Sequence, residues 1–155
     1  MISHKDKCIF IHIPKTAGES IETILMGRPN WEADDPKLKE LSATDSIDIS
    51  GDKHWPLYKW VDSPYYEDYF KFSFVRNPWA ASVSFYHYRK KRDGFSHTFK
   101  EWIKGVNPDF WKEFLNPLRY LRVNGKIGVD FIGRFEQLDR DWAYVCGRQY
   151  TAPRS

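Results

Sequence analysis

The sequence predicts one α/β domain in which a central parallel sheet is flanked by helices. Two apolar runs, residues 8–13 and 71–75, are rich in Ile, Phe and Val and are typical of strands buried on both faces of a parallel sheet. Each run is followed by a segment with helical periodicity, and strands that alternate with helices indicate a layered α/β fold. A chain of 155 residues has the usual size of a single domain, so we assign residues 1–155 to one unit.

The first strand leads into a loop and then a helix. Pro14 ends the apolar run because proline cannot donate to a sheet ladder, and residues 18–26 follow with apolar side chains on one helical face. Residues 29–53 are polar and rich in turn formers, which predicts mostly loop with one short helix at 37–41. Another short helix is expected at 55–61.

The second strand also leads into a helix. Asn77 is a good N-cap, and Pro78 stands at the first helical position, where its missing N–H costs nothing, so we expect a helix over 79–91. The other predicted elements are helices at 99–104 (capped by Ser96), 109–115 and 138–146, and extended segments at 120–122 and 129–134 around a turn at 123–126.

The charge balance is mildly basic, with a net charge of +3 and a pI near 8.8. This suits a small anionic ligand, whereas a nucleic-acid-binding surface would need more basic clusters than the single run at residues 89–92. That run has two interpretations: the solvated C-terminal end of a helix, where cations complement the helix dipole, or a lip for an anionic acceptor.

Targeting and redox signals are weak. Cys8 and Cys146 are too few for a disulfide framework, so we expect reduced thiols. Neither a signal peptide nor an apolar run of transmembrane length is visible, so the sequence predicts a cytoplasmic protein without a membrane span.

The loop after the first strand has the composition of an anion-binding loop. The N-terminus of a helix offers free N–H groups and a partial positive charge, and Gly18 permits close approach of a ligand to the backbone. Lys15 adds a full charge, and Thr16 and Ser20 add hydroxyl donors. Glu19 would repel an anion and is expected to point outward.

This loop lacks the glycine spacing of a Walker A motif, and no Asp that could hold Mg²⁺ follows a strand. Both absences weaken an assignment to ordinary ATPases and kinases.

The second strand ends in Arg76, at the edge of the sheet where open α/β folds bind ligands. Ser84 lies eight residues further on, about two turns along the next helix. A guanidinium and a hydroxyl can hold one phosphate between them. The two loops together predict two separated anion pockets, as suits a nucleotide with phosphate groups at both ends.

Three blocks resemble the sulfotransferases that use 3′-phosphoadenosine 5′-phosphosulfate, especially the carbohydrate-type enzymes and their short bacterial and viral relatives. The blocks are residues 11–20 (IHIPKTAGES), residues 72–79 (FSFVRNPW) with 84–86, and residues 130–138 (DFIGRFEQL). The resemblance implies a P-loop-like three-layer fold. It also implies transfer of a sulfuryl group from that nucleotide to a hydroxyl of a carbohydrate or small-molecule acceptor, with no metal required.

The resemblance assigns a role to each matching position. Lys15 would act in catalysis by stabilising the leaving phosphate. Arg76 and Ser84 would hold the 3′-phosphate. The 5′-phosphate would be held by the loop residues Thr16, Ala17, Gly18, Glu19 and Ser20 through their backbone amides and two hydroxyls.

A general base is needed to take the proton from the acceptor hydroxyl. His54 lies between the first two blocks, where related enzymes often carry a catalytic histidine, and its ordinary pKa near 6.5 suits the role. His12, in the first strand, is the rival, and Glu19 is a weaker third candidate.

Two alternatives stay open at this stage: a non-catalytic nucleotide-binding relative, and a small-molecule kinase that uses ATP. The resemblance also implies that the chain is short at its C-terminus, because relatives continue past the segment matching residues 144–150. Acceptor choice is expected to come from the loops at 31–53, 55–66 and 94–117. Their tryptophans could stack on sugar rings or belong to the core: Trp31, Trp55, Trp102 and Trp111.

Overall fold

The computed structural model describes residues 1–27, 47–48 and 52–151. Its strands are β1 (Ile2–Ser3), β2 (Cys8–Ile11), β3 (Ile47–Asp48), β4 (Phe70–Val75), β5 (Arg122–Val123), β6 (Lys126–Ile127) and β7 (Phe131–Arg134). Its helices are α1 (Gly18–Met26), α2 (Pro78–Asp93), α3 (Phe99–Gly105), α4 (Pro108–Phe114), α5 (Pro117–Leu121) and α6 (Leu138–Thr151). Short 3₁₀ turns lie at Leu57–Lys59 and Phe135–Gln137.

Five strands form the main sheet in the order β3-β1-β2-β4-β7. Strands β2, β4 and β7 run parallel, with Phe10 opposite Phe72 and Phe72 opposite Phe131. The mixed α/β class is therefore confirmed, but the expectation of a wholly parallel sheet is wrong at one side. Strand β1 is antiparallel to both of its neighbours, β2 and β3. Its pairing with β2 is antiparallel because only four residues join the two strands and a parallel crossover needs a dozen or more.

Side chains of β2 alternate between two buried layers, which explains why its sequence is continuously apolar. Phe10 packs with Phe72 and Phe74 of β4 and with residues of α1 and α6 on one face of the sheet. Ile9 and Ile11 pack on the other face, in a cluster that includes the 3₁₀ turn at Leu57 and the end of α5. Both faces of the central strands are thus covered, as a parallel sheet requires.

Helix α2 and the two helices after it are held together by aromatic rings. The ring of Phe85 lies 5.0 Å from that of Phe110 and 5.1 Å from that of Phe114, measured between centroids. Trp102 of α3 packs against Phe85 as well, at 6.2 Å. Many of the aromatic residues of the chain therefore pack in this small helical layer.

The predicted helix bounds match closely for α1 and α2, and Asn77 caps α2 as expected, accepting from the N–H groups of Trp79 and Ala80. The predicted cap of α3 is wrong, because Thr98 and not Ser96 caps it, in a capping box with Glu101.

The short elements differ more from the sequence prediction than the long helices do. The helix expected at 55–61 is only a 3₁₀ turn, and the strand expected at 129–134 begins at Phe131. Of the extended segment expected at 120–122, Tyr120 and Leu121 instead close a helix, and Arg122 begins β5. The turn at 123–126 joins a two-stranded hairpin as its sequence indicates. The helix predicted at 37–41 lies outside the described residues.

Within the described ranges, no helix is both long and apolar enough to span a membrane.

Candidate functional site

A cleft of about 580 Å³ opens at the carboxyl ends of β2 and β4. It brings together most of the site residues that the sequence predicts. The predicted residues that line it are His12, Lys15, Ala17, Gly18, Glu19, Ser20, His54, Arg76 and Ser84. Segments far apart in the chain thus converge on one space, at the edge of the sheet where α/β folds bind ligands.

The loop from β2 to α1 is held in an unusual backbone conformation. Lys15 and Ala17 both have positive φ angles, 66° and 67°, which non-glycine residues rarely adopt. Such conformations cost about 1–3 kcal/mol each and tend to occur at ligand sites. Ala17 precedes α1 without forming any side-chain cap. The first N–H groups of the helix are therefore left for another partner, in the arrangement that suits an anion.

Gly18 is required at the start of α1 by the ring of His12. A Cβ atom at position 18 would lie 2.0 Å from His12 Cδ2 and 2.1 Å from His12 Nε2. The glycine thus lets the histidine ring pack directly against the helix backbone beneath the loop.

The hydroxyl of Thr16 does not face the cleft, although the sequence predicts that it helps to hold an anion there. It is buried, and its Oγ1 donates a hydrogen bond of 2.8 Å to the carbonyl of Ile13. Its side chain is absent from the lining of the cleft. The hydroxyl therefore stabilises the loop from below, whereas Ser20 is exposed in the cleft.

Arg76 extends from the end of β4 into the same cleft. Its guanidinium lies over the ring of Phe135 at 4.0 Å, and Nη1 donates to the carbonyl of Lys15 at 3.3 Å. Its Nε is buried and has no hydrogen-bond partner among the described residues. A buried donor left unpaired is costly, so this atom is suited to a ligand that supplies an acceptor.

Ser84 shares one face of α2 with two arginines of the basic run. Ser84, Tyr88, Arg89 and Arg92 all line the cleft. The ammonium of Lys15 lies 4.6 Å from the centroid of the Tyr88 ring, and Arg92 lies over the same ring at 5.4 Å. The basic run therefore contributes two side chains to the cleft wall. Each of these arginines also pairs with Asp93.

His54 is oriented by a backbone carbonyl. Its Nδ1 lies 3.0 Å from the carbonyl oxygen of His12, and because a carbonyl only accepts, Nδ1 carries the proton and Nε2 is left as the basic nitrogen. Burial lowers the pKa of His54 below its ordinary value, and the neighbouring His12 lowers this pKa further. The lowered pKa favours the neutral imidazole, which is the form that a general base requires.

His12 is more enclosed than His54. Its side chain is 4% exposed, and its Nδ1 donates to Oε1 of Glu22 at 2.9 Å. The two imidazole rings are in edge contact, with centroids 4.4 Å apart. His12 thus packs as a support beside His54, although it borders the same cleft.

Among the described residues, the aromatic rings that line the cleft belong to phenylalanines and to Tyr88, and no tryptophan lines it. Phe85, Phe110 and Phe114 line it, and the Phe114 ring lies 6.5 Å from that of His54. Trp31 lies outside the described residues. The other three tryptophans named above pack against aromatic neighbours and do not line the cleft: Trp55 on Trp60, Trp102 on Phe85, and Trp111 on Trp102.

Sequence reasoning did not single out Phe135, Tyr88 or Glu22. Phe135 stands in the third resemblance block, directly after β7, and the pairing of β7 with β4 brings it beside Arg76. Tyr88 is one helical turn beyond Ser84, so helical spacing could have placed it in the cleft. The sequence gives no sign that Glu22 is buried, because a glutamate in an amphipathic helix ordinarily faces solvent.

No group of His, Cys, Asp and Glu side chains in the described part of the chain is arranged to hold a metal ion.

The chain is similar to a known protein family along nearly all of its length. The sulfotransferase family model matches residues 1–152. An uncharacterized protein of Archaeoglobus fulgidus is 37% identical over 95 residues, which cover 59% of this chain and 76% of that protein. No solved structure matches. Because the family model spans nearly all of the sequence, the chain belongs to the sulfotransferase family.

Proposed function

We propose that this protein transfers a sulfuryl group from 3′-phosphoadenosine 5′-phosphosulfate to a hydroxyl of a carbohydrate or a sugar-bearing small molecule. Membership of the sulfotransferase family supports sulfotransfer in general. The observation that carries the finer proposal is the convergence of the Lys15 loop and Arg76 on one cleft. Two cationic groups on two separate strand ends suit a nucleotide that carries phosphate at both its 3′ and 5′ positions.

The residues present fit such a nucleotide. The uncapped N-terminus of α1, with Lys15 beside it, would hold the 5′ end through the backbone amides of Thr16 to Ser20. Arg76 and Ser84 would hold the 3′-phosphate, and the unpaired Nε of Arg76 would gain an acceptor. We extend the fold assignment accordingly to the P-loop-like class, in which a strand–loop–helix turn cradles a phosphate.

The chemistry would need little covalent work from the protein. The donor, when bound, supplies the sulfuryl group. The acceptor oxygen would form a bond to sulfur as the bond between sulfur and the 5′-phosphate oxygen breaks. His54 Nε2 would take the proton from the acceptor hydroxyl, and the ammonium of Lys15 would stabilise the negative charge on the leaving phosphate. The cleft walls would orient the two reactants. Such orientation supplies a large part of the rate gain in bimolecular transfers.

A ring-shaped acceptor is supported by the phenylalanines next to His54. Phe110 and Phe114 offer apolar faces within the same cleft as the proposed base. Sugar rings stack on such faces through their C–H groups while their hydroxyls remain available for hydrogen bonding.

Calorimetric titration tests the donor site directly. We expect 3′,5′-adenosine bisphosphate to bind the wild type and to bind much more tightly than AMP or ATP with Mg²⁺. Arg76→Ala should lower this affinity by about 10–100-fold, because hydrogen bonds to charged groups contribute about 1.5–3 kcal/mol. Lys91→Gln is the matched control, since Lys91 is an exposed cation of the same basic run that does not line the cleft.

Equal affinity for AMP, or preference for ATP with Mg²⁺, would contradict the proposal and favour a kinase. A labelled donor incubated with a panel of mono- and disaccharides then tests transfer. The enzyme assignment requires that His54→Ala lose about 10²–10⁴-fold in transfer while it retains bisphosphate binding. Tight binding with no transfer to any acceptor would instead indicate a nucleotide-binding protein without turnover.

A further inference from the structure

The buried carboxylate of Glu22 has no place in the proposed chemistry as described so far. Glu22 lies in α1, its side chain is 2% exposed, and it does not line the cleft. Burying a carboxylate is costly unless it is paired, and apolar residues of similar volume often replace buried ion pairs without loss of stability. A glutamate inside a domain with an ample apolar core therefore calls for a role other than stability.

Glu22 fixes the ring of His12. Gly18 and Glu22 are four residues apart and share one face of α1, and the His12 ring packs across both. Gly18 leaves room for the ring, and Glu22 Oε1 accepts the hydrogen bond from Nδ1. The rotation of this ring about its χ angles is thereby restricted from two sides.

Glu22 also contacts the segment that carries His54. Its Oε2 lies 3.6 Å from Nζ of Lys53, the residue immediately before His54, and this oxygen has no hydrogen-bond partner among the described residues. Lys53 reaches Glu19 of the same helix as well, at 3.5 Å. The carbonyl that orients His54 belongs to His12, and Lys53 precedes His54 in the sequence. Glu22 therefore contacts two residues that adjoin His54, one in space and one along the chain.

We propose that Glu22 is a positioning residue for His54, acting through His12 on one side and Lys53 on the other. The inference rests on the proposed function in one respect, namely that His54 is the base. The two contacts of the carboxylate hold residues 12 and 53 in register, so that the carbonyl of His12 meets Nδ1 of His54. That contact keeps the proton on Nδ1 and leaves Nε2 unprotonated towards the cleft.

Histidine tautomers in the full-length protein give the first test, and this test needs no acceptor. Long-range ¹H–¹⁵N NMR at about pH 8, well above the ordinary histidine pKa of about 6.5, reports which ring nitrogen carries the proton. We expect wild-type His54 to be a single Nδ1–H tautomer. Glu22→Ala removes both contacts and should convert His54 to a mixture in which Nε2–H is well populated.

Two gentler variants keep the test informative if Glu22→Ala does not fold. Glu22→Gln retains an acceptor for His12 but loses the charge that faces Lys53, and Lys53→Met removes the same ion pair from the other side. Each should give a partial shift of the His54 tautomer. An unchanged Nδ1–H tautomer in both folded variants would overturn the proposal.

Transfer kinetics give the second test, in the form of a double-mutant cycle. Glu22→Ala should lower kcat about tenfold or more, a part of the 10²–10⁴ factor that a general base supplies, with unchanged affinity for 3′,5′-adenosine bisphosphate. In the His54→Ala background, Glu22→Ala should have no further effect on kcat. Additive losses would mean that Glu22 does not act through His54.

A core variant separates positioning from simple destabilisation. Val145→Ala removes apolar contact from a residue that is 0% exposed in α6, away from the cleft lining, and should lower the melting temperature while leaving kcat intact. If His54→Ala itself transfers normally, the base assignment fails; if only the cycle is additive, the base assignment stands and the positioning role fails.

Discussion

The two strand–loop–helix units of the cleft present different groups at the same edge of the sheet. In the first, helix α1 begins after Ala17 without a side-chain cap, so its first N–H groups have no partner from the loop side chains. In the second, Asn77 caps α2 through bonds to two backbone N–H groups, and the N–H of Asn77 itself donates to Glu136 at 2.7 Å. One helix N-terminus is therefore open and the other is closed.

This difference indicates two ways to bind an anion. The open terminus offers backbone donors that are fixed in place and favour a group lying directly on the helix axis. The closed terminus leaves only side chains for an anion, among them Arg76, whose guanidinium lies between Phe135 and the carbonyl of Lys15. We expect donor affinity to depend on the loop backbone in the first unit and on single side chains in the second.

Among substitutions in these two units, the largest effect is expected from Lys15→Ala. If the backbone of the first unit holds the anion and Lys15 responds to charge that grows during transfer, the variant should lose about 10²–10³-fold in kcat. Its affinity for 3′,5′-adenosine bisphosphate should fall by less than the affinity of Arg76→Ala does. Steady-state kinetics and calorimetry on the same preparations measure both, with Lys91→Ala as the control. Equal losses of affinity in the two variants would break the distinction between the units.

Gly18→Ala should damage the first unit through its backbone. The added Cβ would clash with the His12 ring, and overpacking of this kind costs about 1–3 kcal/mol of unfolding free energy. Displacing the ring also disturbs the loop, so bisphosphate affinity should fall. Chemical denaturation measures the first effect and calorimetry the second.

Gly147→Ala is the matched control for that substitution, because a Cβ there meets nothing within 4 Å and the residue lies inside α6. It should raise the unfolding free energy by roughly 0.5–1 kcal/mol, as alanine does in helix interiors. If Gly18→Ala is as benign as this control, the close packing of His12 on α1 is wrong.

Asn77→Ala should lower stability as Gly18→Ala does, but with little effect on the cleft. Loss of an N-cap costs about 1 kcal/mol, which thermal unfolding can detect. Bisphosphate affinity of the folded protein should stay within error of the wild type, since the capped N–H groups take no part in the proposed site. Asn107→Ala, at the equivalent Asn-Pro start of α4, is the comparison variant. A large loss of affinity in Asn77→Ala alone would mean that the second helix terminus also binds the donor.

Local signals in the sequence were sufficient for the parts of the fold that depend on neighbouring residues. The bounds of α1 and the cap of α2 follow from Pro, Gly and Asn at positions where only a few conformations are allowed. The same Asn-Pro signal opens α5 at Asn116 and Pro117, so that helix was predictable too, but its short length made it look extended.

Contacts between distant segments could not be predicted in this way. The pairing of β7 with β4 places Phe135 under Arg76, yet the two residues are 59 positions apart in sequence. The hydrogen bond between His12 and Glu22 likewise depends on how α1 packs on the sheet, because that packing buries both side chains. Sequence patterns predict which residues are candidates for the site. Tertiary packing decides which ring nitrogen of His54 contacts the carbonyl of His12 and which one is left without that contact.

The smallest expected effect is a shift in the pH dependence of transfer. Burial is the main reason that the pKa of His54 is lowered. The acid limb of kcat/KM should therefore lie below about pH 6.5, the ordinary pKa of histidine. The unfolded chain binds this proton more readily than the folded one. Stability from His54 is therefore fully present above about pH 6.5 and is lost as the pH falls towards the lowered pKa.

Phe114→Ala tests the cause of that shift, because the Phe114 ring lies 6.5 Å from the His54 ring on the wall of the same cleft. Opening this side of the cleft should move the acid limb of kcat/KM upward, by less than about one pH unit, towards the value near 6.5 of a solvated imidazole. Bisphosphate affinity should change little, since Phe114 lies on the acceptor side of the proposed site. An acid limb that stays in place would mean that the neighbouring His12, and not burial, sets the pKa of His54, and the proton-transfer side of the cleft would then be governed by charge.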